Sequence, residues 1–334
     1  MSATPYRPDI DGLRAVAVLA VVAYHAWPQA LPGGFVGVDV FFVISGYLIT
    51  RILLAPGLSF ADFYRRRIRR IFPALLIVLA STLAIGATFL PPDNFRNLLA
   101  HTIGGGLFVA NFVSYHDVGY FNGAAELKPL VQLWSLGVEE QFYLVWPLLV
   151  GFAVRRGVLT RALVVGALLS FAAFAWLSEA DPRAAFYLSP PRFWELIAGA
   201  LLVGVAVPAR WTTAASSLGL ALIAASVVFI ASETEFPGVL LLGPTLGACL
   251  IIAAPGTHPA GRLLSSRAAV AIGLISYPLY LWHWPLLSLL RNFERSPSNA
   301  AIAAVVAMSL LLAGLTWWIV ERPLARWRLR PVAA

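Results

Sequence analysis

Apolar runs close to twenty residues long recur from one end of the chain to the other, and short segments between them carry most of the charge. A helix needs about 20 mostly apolar residues to cross a hydrocarbon core of about 30 Å. Ten runs approach that length, at approximately 12–28, 35–54, 72–90, 138–154, 160–178, 190–207, 213–231, 237–254, 269–290 and 299–320. The pattern predicts an all-α fold: a polytopic membrane helical bundle of about ten transmembrane helices. Residues 97–114 are also apolar, but His101 and the run Gly104-Gly105-Gly106 interrupt them. That segment reads as an extra span, a re-entrant piece or an interfacial helix, and is left out of the ten because the charges then sort better. No repeat, linker or low-complexity tract divides the chain, so a single integral-membrane domain over 1–334 is expected.

Composition supports the pattern. Sixty per cent of the residues are hydrophobic, 12% are charged and the mean hydropathy is +0.80, which excludes an ordinary soluble domain. The first apolar segment lacks a small-residue cleavage site and is expected to be retained. Cys249 is the single cysteine, so neither an intrachain disulfide nor a cysteine-based metal site is available.

The net charge of +8 comes from 24 basic residues, of which only Lys128 is lysine. With the N-terminus inside, seventeen arginines fall on cytoplasmic segments, Arg328 and Arg330 among them. Six basic residues fall outside: Arg96, Lys128, Arg183, Arg192, Arg291 and Arg295. This asymmetry predicts cytoplasmic termini, and the acidic stretch Ser232-Glu233-Thr234-Glu235 sits in an outer loop. Topology and attraction to anionic headgroups account for the basic charge, and no nucleic-acid partner is expected.

Polar residues inside apolar runs are costly and mark candidate chemistry. Arg14 and His25 bound the first run; an offset of eleven residues is three helical turns plus about 20°, so the two share a face roughly 16 Å apart. Histidine can act as base, acid or ligand, and a buried guanidinium needs an anion or a wet cavity. Asp9 and Asp11 offer Arg14 local partners. Asp39 stands at the outer edge of the second run and is a candidate partner for His25 or Arg14. In that run Gly46 permits close helix approach and Ser45 can bond to a neighbouring helix. Arg65-Arg66-Arg67-Ile68-Arg69-Arg70 forms a dense cationic patch suited to phosphate oxygens, or simply a topology signal in contact with headgroups. No Walker-type loop accompanies it. Glu139 and Glu140 open the fourth run; neighbours on a helix diverge by about 100°, so only one is expected to face a given site. His283 lies among aromatics between Pro278 and Pro285, which should kink or break the ninth span. His101, His116 and His258 receive no role, and no spacing resembles a metal site.

Taken in order, DGLRAVAVLAVVAYH, GGFVGVDVFFVISGYLI, FYRRRIRRIFPAL, LWSLGVEEQFYLVWP, FYLSPPRFWELIAGALL, SYPLYLWHWPL and VERPL resemble acyltransferase family 3. These are multi-pass membrane O-acyltransferases of the O-antigen acetylase type, and the resemblance covers nearly the whole chain. It implies that His25 is essential for transfer and that Arg14 supports it. It implies an acyl-CoA-binding RxxR element. Arg66 with Arg69 and Arg67 with Arg70 both fit, and the second pair is favoured because Arg70 directly precedes Ile71-Phe72-Pro73. The family's acid maps to Glu139, with Glu140 as the alternative. Asp39 is a further catalytic candidate, and Ser45, Glu140, Tyr143 and His283 are candidate supporting residues.

The expected reaction follows from that resemblance. Cytoplasmic acyl-CoA, most simply acetyl-CoA, donates; no cofactor is held permanently. The acceptor is a hydroxyl of an extracytoplasmic glycan or glycolipid, with lipopolysaccharide, peptidoglycan and exopolysaccharide all open. His25 serves as general base or acyl relay, oriented by Glu139 or Asp39. The location expected is a bacterial inner membrane. The last motifs resemble a branch often fused to an SGNH-type hydrolase domain, which is expected here only as a partner, not as an appended domain. A transporter or flippase would also place charge along a pathway, but should show inverted repeats.

Overall fold

Among the described residues of the computed structural model, which are 6–57, 59–117, 124–231, 238–256 and 258–327, every regular element is helical. In chain order the helices are α1 (Pro8–Ala26), α2 (Gly37–Leu53), α3 (Phe60–Phe89), α4 (Pro92–Gly106), α5 (Ala110–Asp117), α6 (Leu133–Arg155), α7 (Leu159–Ala180) and α8 (Pro182–Tyr187). They continue as α9 (Ser189–Leu201), α10 (Thr212–Phe229), α11 (Leu242–Ala253), α12 (Pro259–Leu264), α13 (Arg267–Leu274), α14 (Ser276–Phe293), α15 (Asn299–Thr316) and α16 (Arg322–Trp327). The acidic stretch 232–235 and the basic residues Arg328 and Arg330 lie outside the described residues.

Among the described residues, five stretches are long and apolar enough to cross a membrane: Gly34–Leu53, Phe60–Phe89, Leu159–Ala180, Ala209–Phe229 and Asn299–Leu324. The pair α13–α14, bent by 64°, makes a sixth if it is one span. The break falls between Leu274 and Ser276, just ahead of Pro278, as the two prolines suggested. Four of the ten predicted spans miss that measure, for separate physical reasons. The first holds Asp9, Asp11 and Arg14 within one helix. In α6 the run Glu139-Glu140-Gln141 dilutes the apolar character. The run 190–207 is helical only to Leu201, after which Gly204 turns the chain with φ of 85°. The run 237–254 becomes a 3-10 turn, Gly238–Leu241, followed by the twelve-residue α11. The open segment 97–114 is a pair of helices, α4 and α5. They are joined through Phe108 at φ 57°, and Gly104 packs on the Ala110 backbone.

The helices group into two units. The first contains residues up to 54, 150–185 and 190–276; the second contains 55–149, 186–189 and those from 277 on. The first unit's core joins Ile10, Leu13 and Ala17 of α1 to Val40, Val43, Ile44 and Tyr47 of α2 and to Ile251 and Ile252 of α11. In the second, α3 supplies the stripe Ile71, Ala74, Leu75, Val78 and Leu79, the i, i+3, i+4, i+7, i+8 positions of one helix face. Leu98, Leu133, Leu136, Leu281 and Trp282 pack against that stripe.

Two glycine contacts in the first unit set helix spacing near polar residues. A Cβ on Gly46 of α2 would lie 1.7 Å from the Leu196 carbonyl oxygen of α9, and one on Gly199 of α9 would lie 1.9 Å from the Val43 carbonyl oxygen. Backbone therefore meets backbone in both directions, as the sequence suggested for Gly46.

Candidate active site

Arg14 and His25 lie on one unbroken helix, α1, so their eleven-residue offset is realised as a single stripe. Most of α1 is buried, including Leu13, Ala17, Val18 and Val21, whereas Arg14 and His25 remain half-buried and accessible. Arg14 pairs with Asp11 one turn back, Nη1 to Oδ1 at 3.7 Å, as expected of a local partner. The Tyr6 hydroxyl donates to the other oxygen of Asp11 at 2.5 Å. Burial, followed by that bond to an anion, pushes the Tyr6 hydroxyl up to about 12. Asp9 is taken by Arg7 through a two-pronged contact, with distances of 2.8 and 2.6 Å. Arg7 also donates to the Ile252 carbonyl at 3.1 Å, satisfying an orphan group in the last turn of α11. Ser45 of α2 is half-buried.

Asp39 has a partner that sequence reasoning did not assign. Its Oδ1 accepts from Nη2 of Arg192 at 2.6 Å, and Nη1 of Arg192 lies 3.3 Å from Glu195 Oε1. The side chains of all three are at most 2% exposed. Arg192, counted with the outer charges and inside the predicted span 190–207, lies buried near the start of α9, with its guanidinium over the Phe42 ring at 5.5 Å. The local fold explains its position. Pro190 and Pro191 open α9 without N–H groups, and Ser170 of α7 completes the turn by accepting from Trp194 N at 2.8 Å and donating to Pro190 O at 2.6 Å.

In the second unit the arginine run divides by face. Arg65, Arg66 and Arg69 are exposed, while Arg67 and Arg70 turn inward. The helix starts at Ser59, whose hydroxyl caps Asp62 N at 3.1 Å and so fixes the rotation of the run. The Arg67 guanidinium sits 4.7 Å from the Tyr143 ring centroid and 5.8 Å from that of Phe63. Tyr143 donates a short hydrogen bond to Glu139 one turn back on α6. Arg67 is acted on by both Glu139 and Glu140, and Glu140 by both Arg67 and Arg70. The two adjacent carboxylates thus share one cationic neighbourhood although they diverge around the helix. Tyr277 of α14 belongs to the same field, interacting with Glu140, Glu321, Glu139 and Arg70. Its hydroxyl donates to the Ile71 carbonyl at 2.9 Å. The inward row of i and i+3 arginines, facing acids and a phenol, gathers guanidinium groups of the kind that suit phosphate oxygens.

Three other histidines make local hydrogen-bond contacts. His283 is fully buried and its Nδ1 lies 3.0 Å from the Leu279 carbonyl in the preceding turn. His258 caps α12, with its Nδ1 accepting from Gly261 N at 3.0 Å and lying 2.9 Å from the Ser216 hydroxyl. His101, given no role from sequence, is buried with Nε2 3.1 Å from Asp117 Oδ2. Lys128 and Asn97 bind the same oxygen at 2.8 and 2.5 Å. Burial alone would raise the Asp117 carboxyl, but the bonds from His101, Lys128 and Asn97 outweigh it and bring it down to about 2. Lys128, read as an outer loop charge, is in fact 7% exposed and tied into this cluster.

Sequence reasoning therefore missed Arg192, Glu195, Tyr277 and Glu321. The signal for the first pair was available: Arg192 and Glu195 stand three apart inside a predicted span, where ionisable residues ordinarily face the bundle and pair. Tyr277 and Glu321 carried no comparable signal, since a tyrosine or a terminal glutamate near a span end has an interfacial reading.

Residues 7–320 match the family described as acyltransferase domain. Peptidoglycan O-acetyltransferase OatA of Listeria monocytogenes is 34% identical over 351 residues, which is 96% of this chain and 56% of that protein. The putative peptidoglycan O-acetyltransferase YrhL of Bacillus subtilis is 34% identical over 356 residues, 96% of this chain and 55% of its own length. O-acetyltransferase OatA of Staphylococcus aureus is 29% identical over 351 residues, covering 57% of that protein. The chain thus spans about half the length of these relatives. No solved structure matches it. With the buried ion clusters and the inward arginine row both lying inside a match of this extent, the chain belongs to the acyltransferase domain family.

Proposed function

We propose that this chain is a bacterial membrane O-acetyltransferase domain that passes an acetyl group to a hydroxyl of a cell-wall glycan, with peptidoglycan as the first acceptor to test. The observation that carries the reading is the extent of similarity: two peptidoglycan-type relatives align with 96% of the chain, and the family match over residues 7–320 spans every candidate residue. The donor is acetyl-CoA from the cytoplasm. Arg67 and Arg70 bind its phosphates, as paired guanidinium groups do. Glu139 and Glu140 hold those arginines in place, and Tyr143 fixes the Glu139 rotamer. His25 takes the proton of the acceptor hydroxyl, or carries the acetyl group as a relay. Arg14 stabilises the oxyanion that develops on the acyl carbonyl. The ten-span topology with cytoplasmic termini, and a plasma-membrane location with the glycan outside, complete the proposal.

The test is reconstitution. Purified protein in liposomes, supplied with acetyl-labelled acetyl-CoA and a soluble peptidoglycan fragment, should yield labelled ester. His25→Ala should give a monodisperse protein with transfer reduced by about 10²-fold or more, the scale of losing a general base. Full transfer by that variant would remove His25 from the chemistry. Transport of the glycan without ester formation would move the chain to the transporter class.

A further inference from the structure

Three ionisable side chains meet in the first unit where α2 and α9 touch backbone to backbone. Arg192 donates to Asp39 at 2.6 Å and lies 3.3 Å from Glu195, and the side chains are 1%, 2% and 0% exposed respectively. Both carboxyl groups are thus gathered on one buried guanidinium, and each acts electrostatically on the other. Two carboxylates gathered on one buried guanidinium repel each other unless one of them is protonated. Charge counting gives the same answer. One guanidinium and two carboxylates sum to a net negative charge, and an uncompensated charge in an apolar core is strongly disfavoured. The ionisable groups acting on Asp39 are Arg192 and Glu195, and those acting on Glu195 are Arg192 and Asp39. The surroundings are apolar: the Phe42 ring under Arg192, with Val40 and Val43 of α2 and Leu196 of α9 in the buried core.

We infer that Asp39 and Glu195 share a single proton beneath Arg192, so that the three residues form an electroneutral clamp between α2 and α9. Either carboxyl can be the ionised member. Asp39 is then a positioning residue and not a free base. Its clamp holds α2 in place, and α1, which carries Arg14 and His25, rests on that part of the unit. A Cβ on Gly34 would meet Ala20 O at 2.3 Å, and one on Gly37 would meet Ala17 O at 2.3 Å, so α1 follows any displacement of this segment.

The inference makes a charge-balance prediction that a merely structural polar cluster does not. An amide is a neutral stand-in for a protonated carboxyl. Glu195→Gln and Asp39→Asn should each leave one cation and one anion, and each single variant should melt within a few degrees of the unaltered chain. Asp39→Asn with Glu195→Gln leaves Arg192 without its counter-charge and should lower the melting temperature by on the order of 10 °C, or prevent folding. The full-length protein in nanodiscs is then examined by infrared difference spectroscopy in water and heavy water. Subtracting Glu195→Gln from the unaltered chain should isolate one protonated-carboxyl carbonyl band that shifts in heavy water. A difference spectrum holding only carboxylate bands would show both acids ionised and overturn the inference. So would a single amide variant that fails to fold, or a double variant as stable as the singles. None of these readouts depends on acetyl transfer, so failure here and failure of the proposed activity are separate results.

Discussion

Replacing Gly46 by alanine should undo the first unit from its tightest point. The added Cβ would lie 1.7 Å from Leu196 O, 2.5 Å from Leu196 C and 2.8 Å from Leu196 Cα, all of them backbone. Ordinary contact begins at 3.4 Å, so α2 and α9 must part by about 1.7 Å at this level, the difference of the two distances. No rotamer change relieves the clash, because the opposing atom belongs to a helix. Forced separation of a packed core costs roughly 1–3 kcal/mol. The bond from Arg192 to Asp39 starts at 2.6 Å, and half of that separation already carries it beyond the ~3.2 Å limit of a good hydrogen bond. Losing a charged hydrogen bond adds about 1.5–3 kcal/mol. The sum, about 2.5–6 kcal/mol, is a large part of the ~5–15 kcal/mol that ordinarily separates folded from unfolded chains. The assay is thermal unfolding in detergent, followed by the fraction that remains monodisperse on size exclusion. Gly314→Ala is the control: it lies within α15 and nothing stands within 4 Å of its added Cβ, so it should be neutral or stabilising by up to about 1 kcal/mol. Equal melting temperatures for Gly46→Ala and the unaltered chain would refute the reasoning, as would an equal loss in the control.

Three further outcomes are expected. Arg67→Ala with Arg70→Ala should weaken acetyl-CoA binding by 10-fold or more, on the order of 1.4 kcal/mol, whereas Arg66→Ala with Arg69→Ala should leave it nearly unchanged; equilibrium binding of a labelled donor analogue separates them, and equal effects would reassign the patch to topology. Asp117→Asn should cost about 2 kcal/mol near neutrality, from a carboxyl depressed from 3.8 to about 2. The unfolded carboxyl binds its proton first as pH falls, so this stabilisation is complete above about pH 5 and is lost as pH falls through about 2; a melting difference that stays constant from pH 6 to pH 2.5 would contradict it. Ser170→Ala strands the Trp194 N–H and the Pro190 carbonyl and should cost about 1–3 kcal/mol by thermal unfolding, with Ser170→Thr recovering part of the loss.

What the sequence made legible was decided by whether a residue's partner lay nearby in the chain. Arg14 with Asp11, the i and i+3 row of Arg67 and Arg70, and the break ahead of Pro278 all follow from helix periodicity. Gly46 was readable as a close approach, because glycine inside an apolar run has few other uses. Asp39 could be recognised as costly, but its partner Arg192 is 153 positions away, and no periodic argument reaches that far. Arg192 stood inside the predicted span 190–207 but was counted only with the outer charges; Pro190 and Pro191 fall in the first turn of α9, where Ser170 bonds to Pro190 O and Trp194 N. Lys128 was hidden in the same way, since a lone lysine between spans reads as a loop charge until Asp117 and His101 fold beside it.

The spans that fall short of a clean membrane helix all carry ionisable candidates, with one exception, while Asp39, Arg67 and Arg70 lie in stretches that do not fall short. The first holds Arg14 and His25, the fourth Glu139, Glu140 and Tyr143, the sixth Arg192 and Glu195, and the bent ninth His283. The exception, 237–254, forms only the short α11, in which Gly243 and Gly247 pack closely on α10. The coincidence has a physical cause. An ionisable side chain lowers the apolarity of its own helix and is tolerated only where neighbouring helices supply a counter-charge. Such a helix is held in the bundle by ion pairs and backbone contact more than by its affinity for lipid. The departure from apolar pattern therefore flags part of the candidate site, and mutagenesis should begin on those helices together with Asp39, Arg67 and Arg70.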